Sequence, residues 1–300
     1  MTRKIQIFAL LALTSVAAIW GASFVLMKDA LHGQSVDDFL ATRFIIATGA
    51  LILLRPKALS EINQEMLTKG SLLGLFLGSG YLFQTIGLHL TTAATTGFIT
   101  GLYVVFTPIL GALFLKSHVT RNEWIGVAMA TIGLALLSFK GFSIGVGELS
   151  VLLSALFFAF HILGLGKWSG KFATYPLTIV QLGTIAVLTS ILAVVDNGYE
   201  LPNTNQEWKA TIFTALLATS IAFLIQTWSQ SHMNPTKAAI VLSAEPVFAG
   251  LFGVLVGGHV VSERIALGGL LILAAMYLVE LGPRSSREIV DDLAQPHHGF

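Results

Sequence analysis

The feature that most constrains this chain is Thr91–Leu115 (TTAATTGFITGLYVVFTPILGALFL), a run of 25 residues without a charge. A helix of about 20 apolar residues spans a hydrocarbon layer about 30 Å thick. A rough second copy, NPTKAAIVLSAEPVFAGLFGVLV, occupies Asn234–Val256. Glycines at 97, 101 and 111 and Pro108 interrupt the first copy, whereas the second has Pro246 and two charged residues, Lys237 and Glu245. Glycine and proline in such runs allow close helix packing or bending.

Apolar runs of this kind recur along the chain. Of the 300 residues, 54% are hydrophobic and 11% are charged, against about 25% charged in soluble domains. The runs are continuous, not alternating, which disfavours a membrane β-barrel. The expected class is an all-α polytopic membrane protein whose surroundings are the lipid bilayer. A net charge of +1 gives no basic field for nucleic acid. With no cysteine, disulfides and thiolate metal sites are excluded. Arg3 and Lys4 followed by an apolar run imitate a signal peptide, but the run reaches about Met27 and reads as a first span. No phosphate-binding GxxxxGK[ST] loop, HExxH or CxxC is present, and His118 and His259 lack a ligand cluster. No cofactor or metal is expected.

Ten candidate spans can be counted, at about residues 5–27, 38–54, 70–90, 91–115, 124–138, 149–166, 175–195, 208–228, 234–256 and 265–281. Arg43 lies near one end of the second span and is expected to snorkel to the interface. Residues 58–69 read as a solvated connector, with Glu61, Glu65 and Lys69 spaced for a short surface helix. Residues 285–300 read as a mobile cytoplasmic tail. With the N-terminus in the cytoplasm, 11 basic residues fall inside and four outside, which places both termini inside. The halves resemble each other at an offset of roughly 140 residues, and Pro108 falls opposite Pro246. The expected division is residues 1–140 and 141–284. Five spans per half is an odd number, so the second half must be inverted in the membrane.

Two interrupted segments at corresponding places of two halves point to a transporter's binding region. Glu245, about ten residues into its span, is the least expected side chain. A carboxylate at that depth must face protein, a cavity or an interface. It could bind a cationic group or carry a proton, or it could cap helix bonding broken at Pro246. Trp20, Phe24, Tyr81, Phe98, Tyr103, Phe158 and Trp228 could wall a cavity suited to amphipathic or cationic organic solutes, although each could equally pack or anchor. Gln84, Gln226 and His161 need partners in hydrocarbon and could hydrogen-bond a solute or another helix. Gly97, Gly101, Pro108 and Pro246 read as gating or packing positions.

On IWGASFVLMK near the start, GFITGLYVVFTPILGALFL and PTKAAIVLSAEPVFAGLFGVLV, the chain resembles the drug/metabolite transporter superfamily, specifically proteins with two EamA-type repeats. The resemblance covers about residues 5–282. It implies a ten-helix, inverted-repeat carrier in a bacterial inner membrane, with both termini cytoplasmic and a central cavity between the repeats. Relatives export amino acids, metabolites or drugs, and some import solutes. The second half has Glu245-Pro246 where the first has Thr107-Pro108. A symmetric acidic pair is therefore missing, and proton coupling does not follow from the resemblance.

The expectation is a secondary transporter of small organic solutes, an exporter working by alternating access and making no chemical bond. An uncoupled facilitator or importer, and an intramembrane enzyme acting on a hydrophobic substrate, are the competing readings. Oligomeric state is not legible, and a monomer is compatible with the sequence.

Overall fold

The structure is a computed structural model that describes residues 3–30, 34–138, 145–196, 198–257 and 263–281. The expected tail at 285–300 and the expected boundary at 140/141 lie outside the described residues. The described residues are helical almost throughout. In chain order the helices are α1 (Arg3–Ala30), α2 (Val36–Leu54), α3 (Gln64–Leu90), α4 (Ala93–Gly101), α5 (Tyr103–Leu115), α6 (Arg121–Ser138) and α7 (Val146–Trp168). There follow α8 (Thr174–Asp196), α9 (Asn205–Ala215), α10 (Ala222–Gln230), α11 (Pro235–Leu242), α12 (Glu245–Gly257) and α13 (Glu263–Leu281). A π-helical segment, Leu216–Ile221, joins α9 to α10 without a break. Six of the described stretches are long and apolar enough to cross a membrane: 4–23, 64–90, 95–115, 146–171, 174–195 and 205–230.

Polar residues between the apolar runs start the helices. Ser35, Asn63, Thr92, Thr204 and Asn234 each accept a hydrogen bond from a backbone N–H in the following turn. Such a cap is worth about 1 kcal/mol. At α9 the cap is reciprocal, because Glu207 reaches back to the N–H of Thr204 at 3.2 Å. At α11 Pro235 follows the Asn234 cap, at a position where a missing N–H costs nothing.

Residues 58–69, read as a solvated connector, are one only in their first part. Pro56–Glu61 is a 3-10 turn, and α3 begins at Gln64. Pro56 sets the dihedral angle of the turn, and Asn63 caps the next helix at Met66. Glu61 pairs backwards with Arg55 at 2.6 Å and so does not interact along a helix face.

Close backbone approach sets the packing. α3 lies between α7 and α8. A Cβ on Gly74 would sit 2.6 Å from the Gln181 carbonyl oxygen, and one on Gly87 would sit 2.2 Å from Val151 Cγ2. Three apolar clusters result among the described residues, the smallest around Met66, Leu73, Leu165 and Leu177; the two larger ones flank a cavity. One of the larger gathers Leu13, Val104, Leu134, Ile162, Ile240 and Ile272. The other gathers Phe39, Phe44, Leu77, Leu182, Ile185 and Phe223. Trp20 and Phe158 pack against both, so they mark the seam between them.

Candidate functional site

The seam contains a partly open cavity lined by residues from both halves of the chain. Both interrupted segments deliver residues to it from beside their breaks. α4 ends at Gly101, and Leu102 (φ −63°, ψ −9°) turns the chain into α5. α11 ends at Leu242, and Ser243 (φ −64°, ψ −5°) begins the second break. The two breaks thus share one backbone conformation. Thr100 and Tyr103 flank the first, Leu242 and Glu245 flank the second, and all four line the cavity.

The breaks do not lie at the prolines. Pro108 is inside α5, whose helix continues through it, and Pro246 is the second residue of α12. Gly101 ends α4 where a Cβ would meet Leu134 Cδ1 at 2.8 Å, which fits packing against α6. A Cβ on Gly97 would meet no described atom within 4 Å.

Glu245 is the first residue of α12 and is 8% exposed. Unpaired N–H groups at a helix start favour an anion. Its turn is held against α1 at Gly21, where a Cβ would lie 2.7 Å from both the Glu245 carbonyl oxygen and the Ala249 nitrogen. Trp20 and Ser23 on the same helix line the cavity beside it.

Arg43 departs most from the sequence reading. It does not snorkel to an interface. It is 1% exposed and lines the cavity. α2 begins at Val36, so Arg43 lies about two turns inside the helix, beyond easy reach of its end. Its Nε donates to Thr219 Oγ1 at 2.7 Å. One terminal nitrogen lies 3.4 Å from both Tyr81 Oη and the Ala218 carbonyl oxygen. The guanidinium carbon stands 4.7 Å from the centroid of the Tyr81 ring.

The π-helical segment makes these contacts possible. There the Thr219 and Ser220 hydroxyls donate to carbonyls five residues back, Thr214 O at 2.8 Å and Ala215 O at 3.0 Å. The Ala218 carbonyl turns outward and also accepts from Trp20 Nε1 at 2.9 Å. A local π turn of this kind is often found at functional sites.

Aromatic rings line the same cavity. Tyr81 meets Phe158 edge-on at 5.5 Å and Phe223 at 6.0 Å, and Trp20 meets Phe223 at 5.5 Å. Gln84 Nε2 donates to Thr100 Oγ1 at 3.2 Å, tying α3 to α4. His161 Nε2 bonds Gln181 Oε1 at 2.9 Å, so that nitrogen is engaged with α8. Gln226 Nε2 donates to Gln230 Oε1 at 3.0 Å. Its own Oε1 is buried without a partner among the described residues.

Of the sequence candidates, Trp20, Tyr81, Gln84, Tyr103, Phe158, His161, Gln226 and Glu245 therefore come together around one cavity. Phe98 and Trp228 do not line it. Phe98 packs against the first core, and Trp228 meets Phe8 at 5.4 Å and His232 at 4.6 Å. The side chain of Phe24 lies outside the described residues. Arg43, Thr100 and Phe223 line the cavity without having been expected there. Only Arg43 carried a signal, namely a charge inside an apolar run. Among the described residues no group of three or more His, Asp or Glu could hold a metal ion.

Comparison with known proteins agrees with this architecture. The family model described as the EamA-like transporter family matches twice, over residues 7–139 and 145–281. An uncharacterized transporter of Archaeoglobus fulgidus is 34% identical over 278 residues, covering 92% of this chain and 87% of its own. The uncharacterized transporter YoaV of Bacillus subtilis is 25% identical over 284 residues, covering 90% and 95%. A solved structure described only as the crystal structure of a protein superposes with a TM-score of 0.74 at 17% identity, covering 96% of this chain and 99% of its own. That likeness concerns the fold.

Proposed function

The chain belongs to the EamA-like transporter family, and from that premise we propose that it carries its solute through the cavity at the seam by alternating access. It is a multi-pass membrane protein and a secondary transporter of small organic solutes. Counting each interrupted segment once, and α9 with α10 once, gives ten crossings in two five-helix halves, residues 1–140 and 141–284. An odd number per half inverts the second relative to the first. The double family match and the similar backbone angles of Leu102 and Ser243 at the two breaks support this symmetry. Basic residues favour an inner-membrane orientation with both termini cytoplasmic.

One observation carries the site assignment: both interrupted segments present the residues beside their breaks to the same cavity. Breaks of this kind let one half rock against the other around a fixed site. Among the described residues no side chain donates a hydrogen bond to the Glu245 carboxylate. It is free to hold a cationic group of the solute or a proton, and holding one excludes the other. That exclusion would couple solute export to proton import.

Flux in sealed proteoliposomes over a panel of amino acids, amines, acids and drugs tests this reading. Solute should leave or enter in a saturable manner, and collapsing a proton gradient should slow it. Flux that ignores the gradient would identify a facilitator and remove the coupling. No flux of any panel member by a cooperatively folding protein would overturn the transport site.

A further inference from the structure

The first interrupted segment, α4 with α5, has its two ends roughly 30 Å apart. At each end a glutamate bonds across the two halves of the chain. Before α4, Thr91 Oγ1 donates to Glu148 Oε1 on α7 at 3.2 Å. After α5, Glu123 Oε1 on α6 accepts from Asn234 Nδ2, at the start of α11, at 2.6 Å. Thr91 and Glu123 belong to the first half, and Glu148 and Asn234 to the second. We propose that these two contacts are the latches of the transport cycle. Each releases when the cavity opens at its own end, while the other holds the opposite end shut. The proposal rests on the transport reading above and names the residues that lock its two ends.

The division of work within each carboxylate is the first reason. Both glutamates are the third residue of their helix, and Oε2 of each holds that helix's own start. Glu148 Oε2 accepts from the Gly145 N–H at 3.0 Å, and Glu123 Oε2 from the Thr120 N–H at 2.7 Å and its hydroxyl at 2.9 Å. Oε1 of each reaches to the other half. The cross-half bond can therefore break and re-form without unmaking the helix start. The partners are fixed in the same way. Asn234 Oδ1 accepts from the Lys237 N–H at 2.8 Å, which aims its amide nitrogen at Glu123. Thr91 closes α3 with its own N–H on the Gly87 carbonyl at 2.8 Å. Groups already held in place lose little freedom when they pair. Position is the second reason. Thr91 precedes α4, and Asn234 precedes α11. The far ends of these short helices carry Thr100 and Leu242, which line the cavity about 12–14 Å along the helix. Each latch thus holds the outer end of a helical piece whose inner end borders the cavity and a break, at Leu102 or Ser243. A break beside the cavity lets the piece swing once its outer end is released.

The chain has no cysteine, so Ser23→Cys gives a single thiol at the cavity. The test labels this full chain in proteoliposomes with an impermeant maleimide, from one side and from the other. Thr91→Val removes the hydroxyl donor. Asn234→Ser removes the amide donor but keeps an oxygen to cap α11. Neither alters a glutamate. In the orientation proposed above, the Thr91 latch closes the outer end and the Asn234 latch the cytoplasmic end. Thr91→Val should raise the labelling rate from outside by about threefold or more, and Asn234→Ser should do so from the cytoplasmic side. Thr91→Ser keeps the hydroxyl and should label like the unaltered chain. Combining Thr91→Val with Asn234→Ser should return the ratio of the two rates toward its unaltered value, which a loss of stability alone would not do. Should Asn234→Ser fail to fold, the contrast between Thr91→Val and Thr91→Ser decides the matter. Faster labelling from the same side in both single variants overturns the proposal. So do unchanged rates, or equal rates in Thr91→Val and Thr91→Ser. Solute flux by the unaltered chain, measured alongside, then leaves the transport reading standing. Absence of all flux removes that reading, and the latches with it.

Discussion

Glu245 and Gly21 form one local unit, because the α1 backbone at Gly21 touches the turn that carries the carboxylate. Gly21→Leu should therefore separate α1 from α12. Overpacking of this sort costs about 1–3 kcal/mol, and a lowered unfolding temperature in detergent would register it. Glu245→Gln is nearly isosteric and should fold normally, yet cut flux of amine-bearing solutes by about tenfold or more. Unchanged flux would take the carboxylate out of the site. Glu245 was legible because a carboxylate inside an apolar segment is rare. Arg43 was visible but misplaced, since its depth depends on where α2 begins. That start is set by the Ser35 cap, whose Oγ accepts from the Asp38 N–H at 3.1 Å.

The interrupted helices and the π-helical segment are devices of the elements. Sequence showed that Thr91–Leu115 and Asn234–Val256 were unusual and related. It did not show that the chain turns at Leu102 and Ser243 while Pro108 remains inside a helix. A proline marks a missing donor, and where the helix yields is decided by what each turn packs against. The π segment had only Thr219 and Ser220 as signals. Thr219→Val removes the acceptor of Arg43 Nε inside the protein and should cost about 1–3 kcal/mol. Thermal unfolding measures the loss. Thr219→Ser, which keeps the hydroxyl, should retain most of the stability.

At the scale of the whole molecule, the two larger apolar clusters of the described residues meet at a seam, with helices from both halves of the chain facing the cavity. Its proposed arrangement in the membrane can be tested directly, because the chain has no cysteine. Ser60→Cys, in the 3-10 turn between α2 and α3, should react with an impermeant maleimide only from the cytoplasmic side. Asn203→Cys, between α8 and α9, should react only from the opposite side. Labelling of both from one side would overturn the inverted arrangement.

Sequence by itself determined that this chain is helical, lives in a bilayer and is built from two related halves. These properties follow from the length of apolar runs, the spacing of charges and repeated motifs, all of which are local or additive along the chain. It also singled out eight of the side chains that surround the cavity, because polar and aromatic groups within apolar spans are conspicuous. Only the tertiary structure decided which of them meet. It removed Phe98 and Trp228 from the wall and brought Arg43, Thr100 and Phe223 into it. The physical reason is rotational: a span's composition places it in the membrane but does not state which face turns inward. That choice is made by contacts far apart in sequence, such as Gly21 on α12 and Trp20 on the Ala218 carbonyl.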